Sequence, residues 1–230
     1  MNNNAVTAVK IIARIRTDFP EKFGIPRQSG IIDGLESRIV FEPEYRNPDA
    51  LRGIEGFSHL WIIWQFSEAV REDWQPTVRP PRLGGNTRLG VFATRAPYRP
   101  NPIGLSSVRL VRVEETEEYG HTLIVSGADL MDGTPIYDIK PYLPYTDSHP
   151  EATGGFAEPL REYALTVSFP EELLARLPEE KRDAAIKVLA HDPRPGYQRD
   201  PQRVYKMSFA GFTLAFKVSA ENVLSVVGVE

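Results

Sequence analysis

Four stretches of this sequence gather groups that can grip and polarise a polar ligand. In Phe23-Gly24-Ile25-Pro26-Arg27-Gln28-Ser29-Gly30, a guanidinium and an amide sit in a turn-forming loop, where they can meet a carboxylate or the edge of a base. Phe57-Ser58-His59-Leu60-Trp61 opens a second stretch whose end, Ser67-Glu68, suits a ribose or an amino group. The third runs from Arg79-Pro80-Pro81-Arg82-Leu83-Gly84-Gly85-Asn86, past Arg88 and Gly90-Val91-Phe92-Ala93-Thr94-Arg95, to Arg99-Pro100-Asn101-Pro102-Ile103-Gly104-Leu105-Ser106. The fourth joins Asp132-Gly133-Thr134-Pro135 to Asp138-Ile139-Lys140-Pro141-Tyr142. Prolines on both sides of Asn101 restrict the backbone there. A rigid loop suits a reaction whose partners must approach in line, and Gly104 lets the chain come close to a ligand. Each stretch also has a plainer reading: an exposed turn at Arg27, a satisfied structural histidine at His59, a proline corner at Asn101, a tight turn at Asp132-Gly133.

Charge sharpens the third stretch. Net charge is −4, which argues against a generic binder of polyanions. Arginine nevertheless outnumbers lysine 20 to 7, and Trp74 to Val113 holds seven arginines with no acidic residue and no lysine. The planar guanidinium suits bidentate contact with phosphate and stacking on bases; the plainer alternative is a set of separately solvated surface arginines. Other chemistries find no support. There is no cysteine, no Gly-x-Gly-x-x-Gly after a strand, no phosphate-binding Gly-Lys-Ser/Thr loop and no nucleophile elbow at Ser106-Ser107. His59, His121, His149 and His191 show no ligand spacing, so no metal is expected.

These stretches must be held by strands. Alternating or β-branched runs predict strands over 5–16, 37–41, 57–66, 88–94, 105–113 and 121–130, the last two joined as a hairpin at Tyr119-Gly120. Asn47-Pro48 predicts a short helix. Along the 57–66 strand, Leu60, Ile62, Trp64 and Phe66 face a core, with His59, Gln65 and Ser67 opposite. Six prolines between Pro76 and Pro102 and five between Pro135 and Pro159 predict ordered loops there. The fold class is therefore mainly β, an antiparallel barrel over residues 1–146. A linker over 147–162 leads to a small α+β C-terminal domain over 163–230, with strands at 163–169, 203–209, 212–218 and 224–229 and helices at 171–177 and 179–191. The start lacks a basic and apolar leader and no apolar run approaches ~20 residues, so a cytoplasmic protein without membrane contact is expected.

The four stretches resemble the TrmO/TsaA-like family of S-adenosylmethionine-dependent tRNA methyltransferases, and Asp192-Pro193-Arg194-Pro195 extends the resemblance to the C-terminal region. The resemblance implies methyl transfer from S-adenosylmethionine to N6 of threonylcarbamoyladenosine, the base beside the anticodon. It also implies a barrel unlike the Rossmann methyltransferases, and a homodimer with the cofactor near the subunit contact. Carried onto this sequence, the cofactor residues are Pro26, Arg27, Gln28, Ser67, Glu68, Arg95, Leu105, Asp132, Gly133, Thr134 and Pro135. Asn101 would orient the acceptor nitrogen, and Asp138, ahead of His59, would take its proton. Arg79, Arg82, Arg88, Arg99, Lys140 and Arg194 would contact the tRNA anticodon stem-loop. The rival from another class is a regulatory protein that binds S-adenosylmethionine or RNA without chemistry; a third is methylation of another substrate.

Overall fold

Apolar and polar residues alternate along Ala13-Arg14-Ile15-Arg16, which puts Ala13 and Ile15 on one side of a strand. In the computed structural model, which describes residues 7–80, 83, 86–160, 163–194 and 200–230, both are fully buried in β1 (Ala13–Arg16). The same alternation buries Ile39 and Phe41 in β2 (Glu36–Phe41), and Leu60, Ile62 and Trp64 in β3 (His59–Gln65). A separate two-stranded ribbon, β4 (Thr77–Val78) and β5 (Leu89–Gly90), interrupts the order. Then come β6 (Ile103–Thr116), β7 (Gly120–Ser126) and β8 (Pro135–Pro141). The six long strands close into an antiparallel barrel in the ring order β1-β2-β7-β6-β3-β8. Closure is made where Ala13 and Arg14 pair with Ile136 and Pro135. A closed ring leaves no unpaired edge, and its interior is filled by residues such as Leu60, Ile62, Val108, Leu123 and Ile136.

Several expectations need amending. β8 occupies residues expected to be loop: Pro135 and Pro141 stand at its two ends, so the proline-free centre Ile136–Lys140 is able to pair with β3. The 88–94 run is a strand only at Leu89–Gly90, after which Val91–Ala93 turns as a 3-10 helix. The 121–130 strand ends at Ser126, because Gly127 takes φ +83° and turns the chain. Asn47 does cap a helix, its side chain accepting from Asp49 N at 3.0 Å, but the helix Pro48–Leu51 is 3-10.

Beyond the barrel lie α1 (Pro144–Asp147), β9 (Thr166–Ser168), α2 (Glu171–Leu174) and α3 (Glu179–Ala190), followed by β10 (Tyr205–Phe209), β11 (Phe212–Val218) and β12 (Val223–Val229). The sheet order is β10-β11-β12-β9, with β9 parallel to β12. Ala184, Ala185, Val188 and Leu189 share one face of α3 and bury it in this second core. The same core contains Phe19, Ile32 and Leu35, which belong to the long β1–β2 connection. Gly24 in that connection (φ +100°) leaves no room for a side chain: a Cβ would lie 2.3 Å from the sulfur of Met207. Lys181 Nζ also donates to Asp18 Oδ2 at 2.6 Å. The loop that carries Arg27 is thus fastened to this second core.

Candidate active site

A cleft of about 520 Å³ opens at one end of the barrel, between the Arg27 loop, the end of β3, the 94–105 segment and the 129–134 turn. Its floor is Trp64, packed on Phe66 with ring centroids 4.3 Å apart. The indole is admitted by Gly104, where a Cβ would stand 2.2 Å from the ring. Gly104 therefore makes room for Trp64, and both residues line the cleft. Trp64 Nε1 donates to Ser106 Oγ at 2.9 Å, and Ser106 Oγ donates to Asp129 Oδ1 at 2.5 Å. Asp129 lies in the cleft wall. Burial raises its carboxyl above the ordinary carboxylate value; the Ser106 hydrogen bond and the positive charge of Arg95 offset this only in part.

The Arg27 loop is fastened by Gly30 N donating to Gly127 O at 2.8 Å. Arg95 Nη1 donates to Gln28 Oε1 at 2.5 Å, joining two walls of the cleft. Arg27 reaches the other way as well: its Nη2 donates to the carbonyls of Asp192, 3.2 Å, and Arg194, 2.8 Å. The opposite wall is the 67–69 turn, where Lys22 Nζ donates to Glu68 O at 2.8 Å. The cleft thus offers guanidinium groups for a carboxylate, Glu68 and Asp129 for an amine or a proton, and aromatic and aliphatic surface for a flat ring. Its size falls within the roughly 300–1,000 Å³ of pockets that take small ligands and cofactors.

Comparison with known proteins decides the lineage. The family model described as tRNA-methyltransferase O N-terminal domain matches residues 14–148, and the TrmO C-terminal domain model matches residues 162–230. The chain belongs to the TrmO family. It is 41% identical over 216 residues to a protein of Escherichia coli (strain K12) named tRNA (adenine(37)-N6)-methyltransferase, covering 90% of this chain and 92% of that one. A protein of the same name from Eikenella corrodens is 49% identical over 163 residues, covering 70% and 91%. The crystal structure of TrmO from Pseudomonas aeruginosa superposes with a TM-score of 0.77 at 33% identity, over 98% of this chain and 99% of that one.

Within this TrmO fold, the cleft brings together Pro26, Arg27, Gln28, Ser67, Glu68, Arg95, Leu105 and Thr134 from the expected cofactor set, with Arg99 beside them. Of the Asp132-Gly133-Thr134-Pro135 turn, only Thr134 reaches the cleft. Asp132 instead accepts from Thr17 N at 3.0 Å, and Gly133 N donates to Ile15 O at 2.8 Å, so the turn anchors β1. Pro135 is buried at the start of β8. Asn101 is exposed on the rim, between the cleft residues Arg99 and Ile103. Asp138 lies apart from the cleft, opposite Ile63 on β8, where it pairs with Lys140 at 2.9 Å. Lys140 is exposed on that same strand.

Arg79 and Arg88 are exposed near the ribbon; Arg82 lies outside the described residues. Arg194 is not placed to meet phosphate. It is only 7% exposed and gives two hydrogen bonds to Asp192, at 2.8 and 3.0 Å. Burial pushes the Asp192 carboxyl upward, but the hydrogen bond and charge of Arg194 outweigh this and hold it below the usual carboxylate range. Asp129 is the ionisable cleft residue with a shifted carboxyl that the sequence reading did not single out. Its signal was faint: an acidic residue just past Gly127, where an apolar strand was expected to continue.

Proposed function

We propose that this TrmO family member methylates N6 of threonylcarbamoyladenosine beside the anticodon of tRNA, using S-adenosylmethionine held in the Trp64–Asp129 cleft. The observation that carries the reading is the partly buried Asp129 carboxylate in a cleft whose other walls suit a zwitterionic nucleoside. Arg27 and Arg95 suit the amino-acid carboxylate, Glu68 the ammonium, and Trp64, Phe66 and Leu105 the adenosine and thioether. When bound, S-adenosylmethionine supplies an electrophilic methyl group on a sulfonium.

The chain's own residues must then ready the acceptor. A carbamoylated N6 shares its lone pair with a carbonyl, so it is a weak nucleophile until its proton is drawn away. Asp129 is the group assigned that proton. Its raised pKa makes it a better base than an exposed aspartate, and Ser106, itself held by Trp64, fixes the carboxylate by donating to Oδ1. Asn101, on the rim, orients the acceptor through its side-chain amide. Asp138, engaged with Lys140, keeps a structural role in this scheme.

The reading includes a homodimer, supported by the exposed Ile103 and Leu105, which line the cleft and leave apolar surface at its mouth for a second subunit to cover. It also includes an anticodon stem-loop gripped by Arg79, Arg88 and Arg99, and action in the cytoplasm, where tRNA is met. Residues 1–146 form the catalytic domain and 163–230 a support reaching the cleft through Arg27, with 147–162 as the link between them. Purified tRNA carrying threonylcarbamoyladenosine, incubated with the protein and S-adenosylmethionine, should gain one methyl group on that nucleoside by mass spectrometry. Unchanged nucleosides with intact cofactor binding would instead favour the non-catalytic regulator.

A further inference from the structure

The segment between the end of β3 and the cleft carries an aromatic surface that no core explains. Val91 is buried at 1% exposure, yet its neighbour Phe92 is 70% exposed. The Phe92 ring stacks on Trp74, itself 46% exposed, with centroids 5.9 Å apart and planes 22° from parallel. The backbone beneath is pinned: Gln75 N donates to Tyr98 O at 2.9 Å and Val91 N to Pro76 O at 3.0 Å. The rings are therefore presented, and presenting two large rings to water forgoes burial that each would otherwise gain.

Their surroundings say what they present to. The Arg99 guanidinium lies 6.0 Å from the Phe92 centroid, steadied by the carbonyls of Thr94 and Ala96, and Arg99 also lines the cleft. Arg71 sits 4.4 Å over Tyr98, another cleft residue. Among the described residues, none of Arg71, Arg79, Arg88, Arg95 and Arg99 forms an ion pair with a carboxylate. Glu72 and Asp73 mark one end of the positive strip. Stacked rings among unpaired guanidinium groups are the combination that holds single-stranded bases by their faces and phosphates by charge.

We infer that Phe92 and Trp74 form a stacking platform for an unpaired base of the tRNA loop next to the acceptor adenosine, with Arg99 bridging platform and cleft. The inference rests on the tRNA-methylating reading above. A base laid on Phe92 would withdraw the acceptor's neighbour from the loop stack and leave the acceptor free to enter the cleft.

The test uses tRNA with 2-aminopurine in place of the nucleotide 3′ of the acceptor adenosine, and the full-length protein as wild type, Phe92→Ala, Phe92→Trp and Trp74→Ala. Stacking should quench the fluorescence on binding to wild type and to Phe92→Trp. With Phe92→Ala the quench should be lost and the tRNA Kd should rise about tenfold or more. Trp74→Ala should lie between. S-adenosylhomocysteine affinity and the melting curve of Phe92→Ala should match wild type, since the ring supports no core. Wild-type tRNA affinity and quench in Phe92→Ala would overturn the platform while leaving methylation by wild type intact. Loss of tRNA binding together with a smaller species in sedimentation would overturn it in favour of a subunit contact. Equal loss of cofactor affinity would assign the ring to the cleft instead. A wild-type protein that neither binds nor methylates the tRNA would overturn the proposed function and the platform with it.

Discussion

The arginines of the barrel end and Arg194 of the C-terminal unit are the same residue type in opposite circumstances. Arg194 is matched by the Asp192 carboxylate, whereas Arg176 and Arg182 of the same unit are held by backbone carbonyls, of Val229 and of Ala175 and Leu177. Around the cleft and ribbon, Arg79, Arg88, Arg95 and Arg99 have no carboxylate partner among the described residues, and Arg95 and Arg99 are steadied only by neutral oxygens. A guanidinium whose charge is already matched holds a fold together; one held by neutral groups keeps its charge for a ligand. Acids divide in the same way. Asp192 is held below its ordinary pKa by a cation, whereas Asp129 is raised by burial and bonded to a neutral hydroxyl.

That contrast can be broken in five places. The largest effect is expected at Asp129. Asp129→Asn keeps an acceptor for Ser106 but cannot take a proton, so single-turnover methylation should fall about 10³-fold, roughly 4 kcal/mol of barrel-end catalysis. Stability should move the other way. A carboxyl whose pKa is raised by folding binds its proton more tightly when folded, so its contribution to stability is fully present below the unfolded value near 3.9 and lost as pH rises through the folded value. At neutral pH the variant should therefore melt no lower than wild type, and wild-type turnover should rise with pH through an apparent pKa above the ordinary aspartate range. A clear loss of melting temperature with near-normal turnover would make Asp129 a structural residue.

Arg194→Ala tests the other side of the contrast. Removing one partner of a largely buried pair leaves Asp192 uncompensated, which typically costs about 3 kcal/mol. The midpoint of urea unfolding should drop, while the salt dependence of tRNA binding stays as in wild type. A changed salt slope in a stable variant would restore Arg194 to the RNA surface.

Gly104→Ala comes next. The added methyl must displace the Trp64 ring, an overpacking that costs about 1–3 kcal/mol and disturbs the cleft floor. Calorimetry should show both a lower melting temperature and weaker S-adenosylhomocysteine binding; Gly90→Ala, where a Cβ meets nothing within 4 Å, is the control.

Arg27 belongs to both regions, since it lines the cleft and holds the Asp192 and Arg194 carbonyls. Arg27→Ala should weaken cofactor binding about tenfold, near the lower end for loss of a charge-assisted contact. It should also speed amide exchange around Asp192, which a residue serving the cofactor alone would not do.

The smallest effect is expected at Arg88. Arg88→Ala should leave the melting curve unchanged and reduce the slope of log affinity against log salt by about one. An unchanged slope would mean that this exposed arginine touches no phosphate.

Much of the barrel was legible in the sequence because alternation is a local signal. Ala13 and Ile15, or Leu60, Ile62 and Trp64, declare an inner face within a few residues, and the loop chemistry at Arg27, Ser67-Glu68 and Arg95 is equally local. β8 was obscured because two prolines at its ends outweighed the five residues between them. What no short window contains is which chain segments meet. Ser106 and Asp129 are 23 residues apart, and Arg27 reaches the Arg194 carbonyl across 167. The register of β3 against β8 sets Asp138 opposite Ile63, outside the cleft lining, although its sequence neighbours read as site. Residue types, strand faces and the surplus of arginine over the acid-free 74–113 stretch follow from the sequence by itself. Which carboxylate is left poised, and which arginine is already neutralised, was decided only by tertiary pairing, because a charged group's role depends on the groups that fold against it.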